Sequence, residues 1–136
     1  MSPAEHALRE FLLEDAVVAG HLGGRIMPEP FDQALAVPAM TYRRARTKVD
    51  QTLEGPSGLE HAATVVNVFA ETEASAREAY GSIKDCLARQ ARTGRYFVRQ
   101  GVNVMLVEVG TDQGIYDESV QKHRVSAELL IHYGEA

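Results

Sequence analysis

The sequence predicts an α+β fold: a mainly antiparallel sheet with two principal helices packed on one side. Three observations carry that expectation. Helical and strand signals come in blocks, as helix, strands, helix, strands, instead of in strict alternation. Two apolar runs, Ala62 to Ala70 and Val102 to Val109, have the length and β-branched content of sheet strands. At the end of the sequence, Val125, Ala127, Leu129, Ile131 and Tyr133 fall on every second residue, the period of a strand with one buried face. With 136 residues, 45% hydrophobic and 24% charged, the chain has the size and composition of one domain spanning 1–136.

Each element has a local cause. Ser2-Pro3-Ala4-Glu5 combines an N-cap serine, a proline at the first helical position and a glutamate three residues after the serine, a capping-box signature. Leu8, Phe11 and Leu12 then recur at helical spacing with Glu5, Arg9 and Glu14 on other faces, so an amphipathic helix is expected to end near Asp15. Ala16 to Ala19 allows a short helical turn, which Gly20, Gly23 and Gly24 stop before an extended Arg25-Ile26-Met27-Pro28. Pro28, Pro30 and Pro38 keep the chain irregular until Ala39. Ala39 to Thr47 then reads as a strand with one watery face or an exposed end. Val49 to Leu59, with Asp50, Gly55-Pro56 and Gly58 and few apolar residues, reads as a long loop.

Val65, Val66, Val68 and Phe69 leave little room for a polar face, which predicts a central strand. Thr72 caps a second helix over Glu73 to Arg89, whose stripe of Ala76, Ala79, Tyr80, Ile83 and Leu87 is expected to lie on the sheet. From Arg89 to Arg99 arginines alternate with Tyr96, Phe97 and Val98, a pattern compatible with strand, loop or both. Beyond the Val102 to Val109 strand, a turn from Gly110 to Gly114 and a short strand from Ile115 to Val120 are expected before the closing strand.

Composition and spacing exclude most chemistries. A net charge of −5 and a pI near 5.5 lack the electrostatic footprint of a protein that grips nucleic acid by its phosphates. The sequence after Met1 has no basic and apolar leader, and no apolar run approaches the roughly 20 residues of a membrane span, so a cytoplasmic chain without membrane contact is expected. Cys86, the single cysteine, sits beside Leu87 on a helix and reads as a core filler, not a nucleophile. The histidines His6, His21, His61, His123 and His132 include no pair at metal-binding helical spacing, and His123 and His132 read as exposed strand-end residues. Ser57 in Gly55-Pro56-Ser57-Gly58 lacks the spacing of a nucleophile elbow, and Gly20 to Gly24 lacks the flanking strand and lysine of a phosphate loop. Asp117, Glu118 and His123 are titratable but have no spacing that raises them above surface charge. Two basic groups remain: Arg43, Arg44, Arg46 and Lys48, and the arginine-aromatic stretch from Arg89 to Arg99. On an acidic chain both fit contact with a neighbouring subunit better than a nucleic-acid strand.

Several segments in order carry a resemblance. The opening helix leads through Asp15 to Gly23-Gly24-Arg25-Ile26, and Val37-Pro38-Ala39-Met40 enters a strand. Leu53-Glu54-Gly55-Pro56-Ser57-Gly58-Leu59 precedes the Val65 to Ala70 strand, which runs into Thr72 and an alanine-rich helix, and Tyr116-Asp117 precedes the last strand. In this order the chain resembles the tail-completion or tail-terminator proteins of long-tailed bacteriophages and related tail-like particles. The resemblance implies no catalytic residues and no cofactor. It implies a homo-oligomer, a six-fold ring at the head-proximal end of the tail tube, with the tail tube protein and a head connector or neck protein as partners. DNA would pass through its lumen without specific binding, and the ring would belong to the head-tail interface of a virion assembled in the host cytoplasm. A head-completion (neck) protein is the neighbouring alternative, and a small nucleic-acid-binding module a more distant one. In such a ring Arg43, Arg44, Arg46, Lys48, Asp50, Leu53, Glu54, Pro56 and Leu59 are the candidate contacts with the next subunit or the tube.

Overall fold

Apolar spacing at the N-terminus builds two helices. In the computed structural model, which describes residues 3–32, 34–52 and 55–135, with the backbone alone for 3, 50–52 and 55–58, α1 spans Pro3–Leu13 and α2 spans Ala16–Leu22. Asp15, expected near the end of the first helix, instead caps the second. Its carboxylate accepts from the backbone N–H groups of Val17 at 2.9 Å and Val18 at 3.1 Å, donors that the first turn of a helix otherwise leaves unpaired. Ser2 of the capping box lies outside the described residues, and Glu5, which the spacing put on an outer face, is 3% exposed. Gly20 stays within α2, and Gly23, at φ 58, ends it.

Beyond α2 the elements are β1 (Ile26–Pro28), β2 (Ala39–Thr52), β3 (Gly55–Ala70), α3 (Glu73–Thr93), β4 (Phe97–Arg99), β5 (Val102–Asp117) and β6 (Lys122–Glu135). The fold is α+β, with the strands in one sheet of order β1-β2-β3-β6-β5-β4. Two expectations are corrected. The sheet is mixed: β1 runs parallel to β2 while the remaining neighbours are antiparallel. The described residues form three helices instead of two principal ones. The parallel pair arises because the chain after β1 crosses the sheet before starting β2. On that crossing Phe31 stacks on Phe69, centroids 4.3 Å apart, and Glu29 accepts from the Asn67 amide at 3.2 Å.

Two expected irregular segments are strand. Val49 to Leu59, read as a loop, is the tip of the β2–β3 hairpin, paired down to Thr52 and Gly55; Leu53 and Glu54 lie outside the described residues. Few apolar residues there signal a loop, but backbone pairing between β2 and β3 makes it strand. The expected Gly110 to Gly114 turn is a β-bulge within a continuous β5, between Val109 and Asp112. Gly110 is there for close approach: a Cβ on it would stand 2.9 Å from the carbonyl oxygen of Glu128 on β6. The strand expected from Ile115 to Val120 is therefore the end of β5, followed by a turn. The Arg89 to Arg99 stretch divides into the last turn of α3, a left-handed C-cap at Gly94 (φ 65) and β4.

The core lies between the helices and one face of the sheet. Ala4, Ala7, Leu8 and Leu12 of α1, Val18 and Leu22 of α2, and the α3 stripe expected from sequence meet Val66, Val68, Val125, Leu129, Ile131 and Tyr133 in one buried cluster. On β6 every second residue from Val125 to Tyr133 is buried, as the alternation requires. β3 is central, bonded to β2 and β6, and is buried on both faces from Val66 to Ala70.

Asp15 also ties α2 to α3, since Arg89 donates to its carboxylate at 2.6 Å. Burial acts to raise the Asp15 pKa, and the N–H groups of Val18 and Val17 with Arg89 outweigh it, leaving the carboxyl below its usual range. A lowered folded-state pKa contributes stability above the unfolded value and loses it as pH falls through the folded one. Asp15→Ala is therefore expected to cost about 1 kcal/mol at neutral pH. In urea melts the gap from the unsubstituted chain should close as pH falls below about 4.

Candidate assembly surface

The four basic residues of β2 part company by face. Residues opposite each other on neighbouring strands share a face. Arg43 lies opposite Val65, Arg46 opposite Ala63 and Lys48 opposite His61, all on the face away from the helices. Arg44 lies opposite Thr64, on the helix side with Tyr42, and the bulge at Ala45 sends Arg46 to the other face. There its guanidinium meets Glu5 through Nε to Oε1 at 3.0 Å and a second nitrogen to Oε2 at 3.1 Å. The same side chain donates to the Tyr133 hydroxyl at 3.1 Å, and Thr64 donates to Glu5 at 2.8 Å. Tyr133 donates in turn to Glu60. Burial disfavours the charged guanidinium, but the bonds and charge of Glu5, helped by Tyr133, outweigh it and raise the Arg44 pKa. Arg44 thus joins α1, β2, β3 and β6 instead of presenting a charge outward.

The outer-face residues make shallower contacts. Arg43 reaches Glu29 at 3.2 Å and Arg46 reaches Glu128 at 3.1 Å, exposed pairs of the kind worth less than about 1 kcal/mol. His61 and His132, opposite each other on β3 and β6, hydrogen-bond through their Nδ1 atoms, so one ring donates and the other accepts. His132 Nε2 lies 3.6 Å from a Glu108 oxygen. His132, read from sequence as an exposed strand-end residue, is 21% exposed at its side chain, and His123 sets its ring against Tyr116, centroids 4.9 Å apart. No spacing rule finds the His61–His132 pair, because it exists only once the β3–β6 register is fixed.

Of the remaining candidates, Leu59 lies opposite Gly134, where pairing of β3 with β6 begins. The hairpin outward of that point, 55–58 with the end of β2, extends past β6 as a two-stranded projection. Asp50 and Pro56 sit on it with their backbone alone described. The sheet also leaves two long edges open. β1 pairs with β2 only from Met40 to Tyr42, and β4 with β5 only from Val102 to Val104. Among the described residues no strand continues either pairing.

Two arginines of the second basic group, Arg89 and Arg99, are used within the chain. Arg99 lies 5.9 Å from the ring centroids of both Phe11 and Phe97, rings stacked at 4.0 Å, and pairs with Glu14 at 2.6 Å. Arg89 is held by Asp15. Tyr96 is 60% exposed. At the β5–β6 turn Asp117 accepts from the Ser119 N–H at 3.0 Å and hydroxyl at 2.5 Å and lies 3.5 Å from Arg124. The Ser119 bonds lower its pKa most, against burial; this is turn architecture. Cys86 is buried, and burial, with the Asp15 charge behind it, pushes its thiol up to about 11. A neutral buried thiol is a poor nucleophile. Aromatic disulfide reagents at pH 8 are accordingly expected to leave Cys86 unlabelled in the native chain and to label it fully in denaturant. Among the described residues no group of three or more His, Cys, Asp or Glu is placed to hold a metal ion, and no helix is long and apolar enough to cross a membrane.

A mixed-charge sheet face, two open strand edges and a projecting hairpin are the surface of a protein that assembles with others. The chain belongs to the tail completion protein gp17 family, whose model matches residues 6–131. Among solved structures it is similar to a chain from the virion of a native gene transfer agent particle, with TM-score 0.74 and 16% identity over 96% of this chain and 93% of that one. At that identity the likeness is one of fold. No curated protein matches the sequence. Membership makes the chain a structural tail completion protein, not an enzyme.

Proposed function

We propose that this protein is a ring subunit that caps the head-proximal end of the tail tube and joins it to the head connector. The family match over residues 6–131 carries the reading, and the open strand edges supply it with surfaces on which copies can join. A closed ring uses heterologous contacts, one surface of each subunit against a different surface of the next. Six copies at −5 each carry −30, and an acidic ring lets DNA through its lumen without holding it. Arg43, Arg46 and Lys48 on the outer sheet face, the projecting hairpin with Asp50 and Pro56, and Leu53 and Glu54, which lie outside the described residues, are the contacts proposed for the tube or the next subunit. Arg44 leaves that group, because its charge is spent on Glu5.

The test is electron microscopy of particles made when the gene is deleted from the element that encodes it. Overlong tails without heads are the expected result. Tails of normal length detached from heads would move the protein to the neck, and normal particles would end the structural reading.

A further inference from the structure

We infer that copies of this chain join edge to edge, the open edge of β5 from 105 to 117 pairing antiparallel with the open edge of β2 from 43 to 52 on the next copy, so that the sheet continues from subunit to subunit. The inference rests on the ring reading above and says how the ring is made.

Long bare edges are the first observation. At about 3.4 Å per residue each open stretch exceeds 30 Å of unpaired backbone donors and acceptors, a template that a chain acting alone would have to block. The two three-residue strands block only one end of each edge, at Met40–Tyr42 and Val102–Val104. Large apolar side chains stand exposed along both: Val49 on β2, and Leu106, Val109 and Tyr116 on β5.

Direction follows from topology. β2, β3, β6 and β5 are successively antiparallel, so β5 runs opposite to β2. Rotation about a ring axis preserves each strand's direction around the ring, which sets β5 of one copy antiparallel to β2 of the next.

Charge selects this pairing over the two-fold ones. With Arg44 neutralised by Glu5, the open part of β2 still offers Arg43, Arg46 and Lys48 against one acid, Asp50, while that of β5 offers Glu108 and no base, its Asp112 and Asp117 lying beside Arg77 and Arg124 of the same chain. A two-fold contact would set β2 on β2 or β5 on β5, with like charges facing. The heterologous contact sets base against acid. Register strengthens the argument: Arg46, Ala63, Leu130 and Glu108 form one row across the sheet, so an unstaggered join brings Glu108 beside Arg46 of the next copy. A slip of one outer-face position either way brings it beside Lys48 or Arg43.

The test uses the full chain in assembled particles. Cys86 is the single cysteine, so a Cys86→Ala background carrying Lys48→Cys and Leu106→Cys has thiols only at the two edges. A pair of bis-maleimides of roughly 10 Å and roughly 18 Å reach, which together cover a stagger of about four residues, is expected to give a ladder of covalent oligomers on denaturing gels. Either single substitution should give none. Head-bearing particles that contain the doubly substituted chain but yield only monomer would overturn the edge pairing, and dimers from a single substitution would replace it with a two-fold contact. Hydrogen exchange on the unsubstituted protein gives a second reading: the outward-pointing amides in 43–52 and 105–117, those not bonded to β3 or β6, should slow about tenfold or more on assembly, and unchanged rates would sink the idea. Failure of the tail-end role shows separately, as normal particles after gene deletion.

Discussion

Replacing Arg44 by methionine is expected to destabilise the isolated chain by about 3 kcal/mol, because it takes a two-point guanidinium partner from a buried carboxylate. Glu5 is 3% exposed and Arg44 is 24% exposed at its side chain, so the pair lies at the margin of the core, and the lower end of the usual range for breaking a buried ion pair applies. The loss is one of paired charge more than of contact area: Glu5 would keep the Thr64 hydroxyl but lose both bonds from the guanidinium. Against a typical total of 5–15 kcal/mol such a loss is large. The pair itself contributes far less than its breakage costs, since both charges were taken from water to form it. Glu5→Leu with Arg44→Met should therefore recover most of the lost stability in urea melts. If Arg44→Met alone unfolds at the unsubstituted midpoint, Arg44 does not hold α1 to the sheet, and it returns to the list of candidate subunit contacts.

Arg44 also shows where sequence reading stops. Among Arg43, Arg44 and Arg46 nothing in composition marks one as structural. The distinction comes from alternation along β2, a bulge at Ala45, and a partner 39 residues away on α1. The α3 stripe, the Thr72 cap and the alternation of β6 were legible because each depends on residues close together in sequence, and the central place of β3 because both its faces are apolar. The β2–β3 projection was not legible, because its strands are set by backbone pairing across the hairpin, which no local apolar pattern announces. Gly110 misled for a related reason: glycine signals a turn and a close strand approach alike, and only the neighbour's carbonyl tells them apart. Open edges are a property of the assembled sheet, so no local pattern could announce them.

Leu129 and Leu130 put the division of the sheet into a core face and an assembly face to a direct test. Leu129 is fully buried, set between Thr64 on β3 and Val109 on β5, within the cluster that the helices cover. Leu129→Ala removes apolar volume from a packed interior whose neighbours hang on a hydrogen-bonded sheet and cannot close over the gap. The expected cost is about 3 kcal/mol, within the 2–5 kcal/mol range for such truncations. Leu130 is the same residue one position on, but it points to the other face, half-buried, between Ala63 and Glu108. Leu130→Ala should cost the isolated chain less than about 1 kcal/mol, since a half-exposed side chain gives up less apolar burial. Urea melts of the two variants, with the slope unchanged and the midpoints well apart, are the expected outcome. Equal losses would mean that the outer face is already part of the core, leaving the sheet no free surface to offer a neighbour.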